Sequence, residues 1–171
     1  VGTFIGVVTL PWTFKLLTGP LMDRFSFLPM GRRRPWVIVA QLGIVLGSLA
    51  MAFVGTGFWI LLAACAFVNF CAAWQDVAVD GMAMDVLEED ERARANAFMF
   101  GGQAVGAAAS TFGGAILLNE LGLTAMALVM ALSVALIALI PLSFREREGE
   151  RLLPWTPGDA LPRSVALSSD N

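Results

Sequence analysis

Residues Gly19 to Trp36 read G-P-L-M-D-R-F-S-F-L-P-M-G-R-R-R-P-W, a short charged stretch between two apolar runs, Val1 to Thr18 and Val37 to Phe53. It holds four of the eleven basic residues of the chain: Arg24, Arg32, Arg33 and Arg34. Arginine is costly to carry across a bilayer, so a basic connection between two apolar spans stays on the cytoplasmic side and orients both of them. Composition agrees with spans. With 57% hydrophobic residues, 15% charged and a mean hydropathy of +0.74, these 171 residues carry more apolar surface than a water-soluble domain of that size buries. The expected architecture is all-α, a polytopic transmembrane helical bundle set in a lipid bilayer.

Other classes recede on the same reading. No basic tract with interleaved aromatics points to nucleic acid. Histidine and tyrosine are absent, which removes imidazole ligands and histidine acid-base chemistry; no metal and no cofactor are expected. Cys65 and Cys71 lie six apart in one apolar run, on different helix faces, and are read as small buried hydrophobes and not as a disulfide.

Five spans are expected, at about 1–19, 35–54, 58–80, 95–118 and 123–144, with 145–171 as a polar cytoplasmic linker. Pro11 should kink the first, Gly55-Thr56-Gly57 is a tight outer turn, and Asn119-Glu120-Leu121-Gly122 is a second. The inner segments then hold Arg24, Arg32, Arg33 and Arg34; Arg92 and Arg94; and Arg145, Arg147, Arg151 and Arg163. With Lys15 inside a span, no basic residue is left outside. The chain opens within an apolar run without Met and ends in a polar segment, so it is read as part of a longer protein.

Polar residues within the spans are the candidate site. Lys15 precedes Asp23 by eight residues and so lies about 12 Å deeper along the helix. Its ammonium either snorkels to the surface or meets a carboxylate. In the third run Asn69, Gln75, Asp76, Asp80 and Asp85 share one helical pattern, and Asp76 and Asp80, one turn apart, share a face. Two carboxylates so close repel unless a cation stands near; alternatively the span has surfaced and they are solvated. Gln103 either bonds a neighbouring helix or lines a path. Gly102, Gly106, Ser110 and Gly114 repeat every four residues, a smooth stripe for helix packing. Glu88 with Arg92 and Asp90 with Arg94 are spaced as i,i+4 ion pairs.

Gly19-Pro20-Leu21-Met22-Asp23-Arg24 followed by Gly31-Arg32-Arg33-Arg34 resembles the inner-loop signature of the major facilitator superfamily, which joins that family's second and third helices. With Pro11-Trp12-Thr13-Phe14-Lys15 before it and Gln75-Asp76-Val77-Ala78-Val79-Asp80 after it, the chain is similar to the muropeptide permease and acetyl-coenzyme A transporter branch. The resemblance implies helices two to six and the central loop of a twelve-helix secondary transporter, whose partners would be a first helix, a C-terminal half and a small-molecule solute. It implies a lock at the inner end. Asp23 would cap a helix of the other half, and a loop arginine (Arg24, Arg32, Arg33 or Arg34) would pair with Asp85. The five residues Ser26 to Met30 lengthen the loop relative to the usual signature, so the pairing of individual arginines stays open.

The function expected is alternating-access movement of a polar or anionic solute across a bacterial inner membrane; coupling to protons is expected through Asp76 or Asp80, with a Lys15–Asp76 pair as a candidate switch. The chain is not expected to be an enzyme. A membrane-embedded phosphotransferase would use Asp76, Asp80 and Asp85 on metal ions, but Asp80-Gly81 is followed by Met82-Ala83-Met84 where that family places Ala-Arg. A half-size subunit or receptor that dimerises through the glycine stripe is the third reading.

Overall fold

The computed structural model describes residues 2–53 and 57–169, and among them every regular element is helical. The helices are α1 (Gly2–Thr13), α2 (Lys15–Arg24), α3 (Arg34–Phe53), α4 (Phe58–Val86), α5 (Glu89–Ser143) and α6 (Pro162–Ser169), with a 3-10 turn at Leu28–Met30. α3, α4 and α5 are long and apolar enough to cross a membrane, and α1 with α2 form a fourth such unit, bent by 47°.

The bend falls at Phe14 (φ −88°, ψ 4°), three residues beyond Pro11. The backbone there closes into i,i+3 turns, Phe14 N–H to the Pro11 carbonyl at 3.3 Å and Leu17 N–H to the Phe14 carbonyl at 2.9 Å. The hydroxyl of Thr13 also donates to the Leu10 carbonyl at 2.7 Å, a local bond that bends helices. α2 continues to Arg24, past the expected end of the first span. α4 likewise stays helical through Asp85 to Val86, six residues beyond its expected limit. Of the outer turn at Gly55-Thr56-Gly57, only Gly57 lies within the described residues.

At 1.5 Å per residue the 55 residues of α5 would extend about 80 Å, more than twice a hydrocarbon core of about 30 Å. Gly122 divides it: φ 81° and ψ 176° turn the chain where any residue with a Cβ would be strained. The expected turn at Asn119-Glu120-Leu121-Gly122 is thus concentrated in one glycine.

Contacts give the directions. Phe4 meets Phe58, Trp12 meets Asn69 and Lys15 meets Asp76, so α1 and α2 run parallel to α4. α3 runs antiparallel to α4, with Gly47 against Phe67 and Val68, Gly43 against Cys71, and Arg33 against Gly81. The second half of α5 runs antiparallel to α3: Thr124 donates to the Ala52 carbonyl at 3.3 Å and Arg34 to the Pro141 carbonyl at 2.7 Å. Small residues permit the close approach: Ala127 is buried among Ile44, Met51 and Val68, Ala78 beside Met22 and Val37, and Ala73 and Ala131 are almost wholly buried as well. The loops near Arg32, Leu87 and Arg147 therefore gather at one end of the bundle, and Gly57 and Gly122 at the other.

The stripe on the first half of α5 is uncovered. No neighbouring atom lies within 4 Å of the point a Cβ would occupy at Gly102, Gly106 or Gly114, and Ser110 only back-bonds to the Ala107 carbonyl. The expected i,i+4 ion pairs do not form either. Glu88 is the non-helical cap of α5, and Arg92 turns back to donate to the Met84 and Leu87 carbonyls at the open end of α4. Arg94 lies over the Phe98 ring, 5.8 Å from its centroid.

Candidate functional site

Two charged clusters stand out, one on a cavity wall between helices and one at the loop end. The cavity, about 720 Å3, is bounded by Trp12 and Lys15 from α1 and α2; by Asp76, Val79, Asp80 and Met84 from α4; and by Asn96, Met99, Phe100 and Gln103 from the first half of α5. The bend at Phe14 turns Lys15 towards α4. Helical spacing does the rest, because Asp76, Asp80 and Met84 are successive i,i+4 positions and Asn96, Phe100 and Gln103 fall on one face. Lys15 Nζ donates to Asp76 Oδ2 and lies 3.7 Å from Asp80 Oδ2. Asp80, 53% exposed against 26% for Asp76, stands more open to the cavity. The ammonium also sits 5.8 Å from the Trp12 ring centroid, a favourable cation–π distance.

Lys15, Asp76, Asp80 and Gln103 are thus brought together. Asn69 stands behind them, accepting from Trp12 Nε1 at 3.2 Å and donating to the Cys65 carbonyl at 3.1 Å, so it orients the tryptophan and does not line the cavity. Gln75 faces elsewhere, into a space of about 320 Å3 shared with Arg34, Gln41 and Pro141. Trp12 entered the sequence analysis only as part of the Pro11 to Lys15 motif, and Asn96, Met99 and Phe100 were not singled out by sequence. Asn96 had a usable signal, since it lies seven residues before Gln103 on the same face of the expected span.

At the loop end, Asp23 and Asp85 share two arginines. Arg32 reaches Asp23 Oδ1 at 2.9 Å and Asp85 Oδ2 at 3.2 Å; Arg33 reaches the same two atoms at 2.5 and 3.4 Å. Within this chain Asp23 therefore meets guanidinium groups, not a helix N-terminus. Arg24 is exposed and in no ion pair among the described residues. Arg34, almost wholly buried, donates to the carbonyls of Pro141, Arg151 and Leu152 at 2.7, 3.1 and 2.6 Å. Asp80 and Asp85, which a metal site would need together, face different cations.

Residues 145–169, expected as a linker, are tied into this cluster. Glu146 accepts the backbone N–H groups of Arg32, Arg33 and Arg34 at 3.2, 3.0 and 3.0 Å, a carboxylate capping the start of α3 from a distant segment. Arg147 donates to the Asp85 carbonyl at 2.9 Å and to Ser164 Oγ at 2.7 Å, and Ser164 donates to Glu150 Oε1 at 2.6 Å. Burial raises the pKa of the Glu150 carboxyl and neighbouring Glu146 adds to the rise, while the Ser164 hydrogen bond and Arg147 oppose it.

A bundle of apolar helices with a lysine and two carboxylates on an open cavity between them, and its described loop arginines at one end, defines an integral membrane protein of the transporter class. Residues 2–167 match the family model of the Major Facilitator Superfamily, and the chain belongs to that family. It is 36% identical over 91 residues to the anhydromuropeptide permeases of Escherichia coli K12 and O157:H7, a match covering 52% of this chain and 18% of each relative. A Haemophilus influenzae protein described as uncharacterized is 29% identical over 97 residues, covering 53% of this chain and 22% of its own length. The chain thus spans about a fifth of the length of these relatives. No solved structure matches it.

Proposed function

We propose that the chain forms part of a secondary transporter that moves a polar or anionic solute by alternating access, coupled to protons. The observation that carries this reading is the cluster of Lys15, Asp76 and Asp80 on the wall of one cavity. Ionised, Asp76 holds the ammonium; a proton on Asp76 releases Lys15 to an anionic group of the solute. Trp12 and Phe100 offer apolar faces, and Asn96 and Gln103 offer amide hydrogen bonds. Such a lining suits a solute of the kind named by the Escherichia coli relative, an anhydromuropeptide.

In the same reading the chain makes five crossings of a bacterial inner membrane with its arginine-rich end cytoplasmic. The Asp23–Arg32–Arg33–Asp85 cluster is made in the inward-closed state and broken in the other, a two-state element of the kind alternating access needs. The uncovered Gly102, Gly106, Ser110 and Gly114 face packs on the first helix or C-terminal half of a longer chain.

The test is uptake of labelled anhydromuropeptide by proteoliposomes carrying the full-length protein. Lys15→Ala and Asp76→Asn should each lower uptake about tenfold or more and flatten its pH dependence. Intact uptake with an intact pH profile in both variants would refute the coupling site. The uncovered stripe alone favours the second reading, a dimerising subunit; a disulfide between two Gly106→Cys copies in the membrane would support it.

A further inference from the structure

The segment after the last long helix folds back against α3 and leaves a groove of about 450 Å3 lined only by apolar side chains, among them Phe27, Val39, Leu42, Leu153 and Trp155. It is held in place by backbone contacts: Arg151 N–H donates to the Pro29 carbonyl at 2.6 Å, and Arg34 binds the Arg151 and Leu152 carbonyls. Trp155 is 79% exposed in this otherwise anchored turn. Indole so placed favours the boundary between lipid headgroups and hydrocarbon. The groove leads towards hydrocarbon, because Val39 and Leu42 lie about 8 and 12 Å along α3 from Arg34. It is continuous with an outward stripe of that helix, Val39, Leu42 and Leu46, which are 60, 51 and 63% exposed. Arg151 adjoins the groove beside Pro154: its guanidinium donates to the Gly158 carbonyl at 2.8 Å and the Pro154 carbonyl at 3.2 Å and is in no ion pair among the described residues.

We propose that this groove is a phospholipid site of the leaflet on the arginine-rich side. The lipid phosphate sits at Arg151, and one acyl chain lies between Phe27, Val39 and Trp155. A cation at headgroup level beside an apolar channel that runs on into a membrane-facing helix surface is the complement of a phospholipid. The site is separate from the cavity that holds Lys15, and the inference does not depend on what that cavity carries.

The test uses the full-length protein in lipid nanodiscs, with every tryptophan other than Trp155, among them Trp12, Trp36, Trp59 and Trp74, replaced by Phe so that Trp155 alone emits. Lipid brominated near the headgroup end of its acyl chains should quench the emission roughly twofold, and lipid brominated at the chain ends distinctly less. Because Trp36 and Trp74 pack together with ring centroids 5.1 Å apart, the same comparison is made as the difference between the unaltered chain and Trp155→Phe. Arg151→Gln should also lose the phospholipid that the unaltered chain retains in native mass spectrometry. Emission quenched by aqueous iodide and by neither lipid would overturn the proposal. So would shielding from both that disappears on dilution, which would give the groove to a second copy of the chain.

Discussion

Glu146→Ala is the most informative single substitution, because it removes one carboxylate on which three backbone donors depend. The N–H groups of Arg32, Arg33 and Arg34 lie at 3.0 to 3.2 Å from its two oxygens, and its side chain is 0% exposed. A hydrogen bond to a charged acceptor contributes about 1.5–3 kcal/mol net, and a carboxylate at a helix start adds up to about 2 kcal/mol. The three bonds share one acceptor group and are not additive. Water entering the vacated space recovers part of the loss, so about 3–5 kcal/mol is expected, as for removing one partner of a buried charge pair. Glu146→Gln keeps one acceptor oxygen but turns an amide N–H towards a donor, and should cost about 1–2 kcal/mol. The assay is amide hydrogen exchange of the chain in nanodiscs. At about 1.4 kcal/mol per tenfold, exchange at residues 32–34 should rise by about two to three and a half decades in Glu146→Ala and by about one in Glu146→Gln. If those amides in Glu146→Ala exchange within about threefold of the unaltered chain, the capping argument is wrong.

Glu150 carries a pH dependence of definite sign. Its folded-state pKa lies above the ordinary glutamate value because of burial, so the folded segment binds the proton more tightly than the unfolded one. Docking of 145–169 should therefore weaken as pH rises through the raised pKa and be firmest in mild acid; Glu150→Gln should remove that dependence from exchange of the amides around Ser164. Gly43→Ala places a Cβ 2.5 Å from Cys71 Sγ and should destabilise the α3–α4 pair by about 1–3 kcal/mol, read by detergent unfolding. Gly122→Ala forces a Cβ onto φ 81° with open space around it, so strain alone operates and the cost should be about 1–2 kcal/mol in the same assay.

The arginine-flanked stretch at Gly19 to Trp36 and the hydrophobic runs around it made the helical membrane architecture legible, since long apolar runs have no other stable home. The lysine and the two aspartates were legible as candidates for the same reason: an ionisable group within a span is too costly to be incidental. Gln75 illustrates the limit. It is as polar as Gln103 and sits next to Asp76, yet one residue of helix turns it by about 100° away from the cavity. The place of Trp12 on the cavity was hidden because an aromatic residue in an apolar helix carries no mark distinguishing packing from lining.

By itself, then, the sequence determined the class, the helical runs, the clustering of arginine on the loops at one end and the identity of the charged residues inside, because transfer free energies depend on residue type and local order. The tertiary structure alone decided that the bend falls at Phe14, that Asp23 and Asp85 share Arg32 and Arg33 while Arg34 serves carbonyls, and that Glu146 caps α3 across more than a hundred residues of chain. Those outcomes rest on which donors and acceptors from distant segments come within hydrogen-bond distance of one another, and local sequence does not encode that proximity.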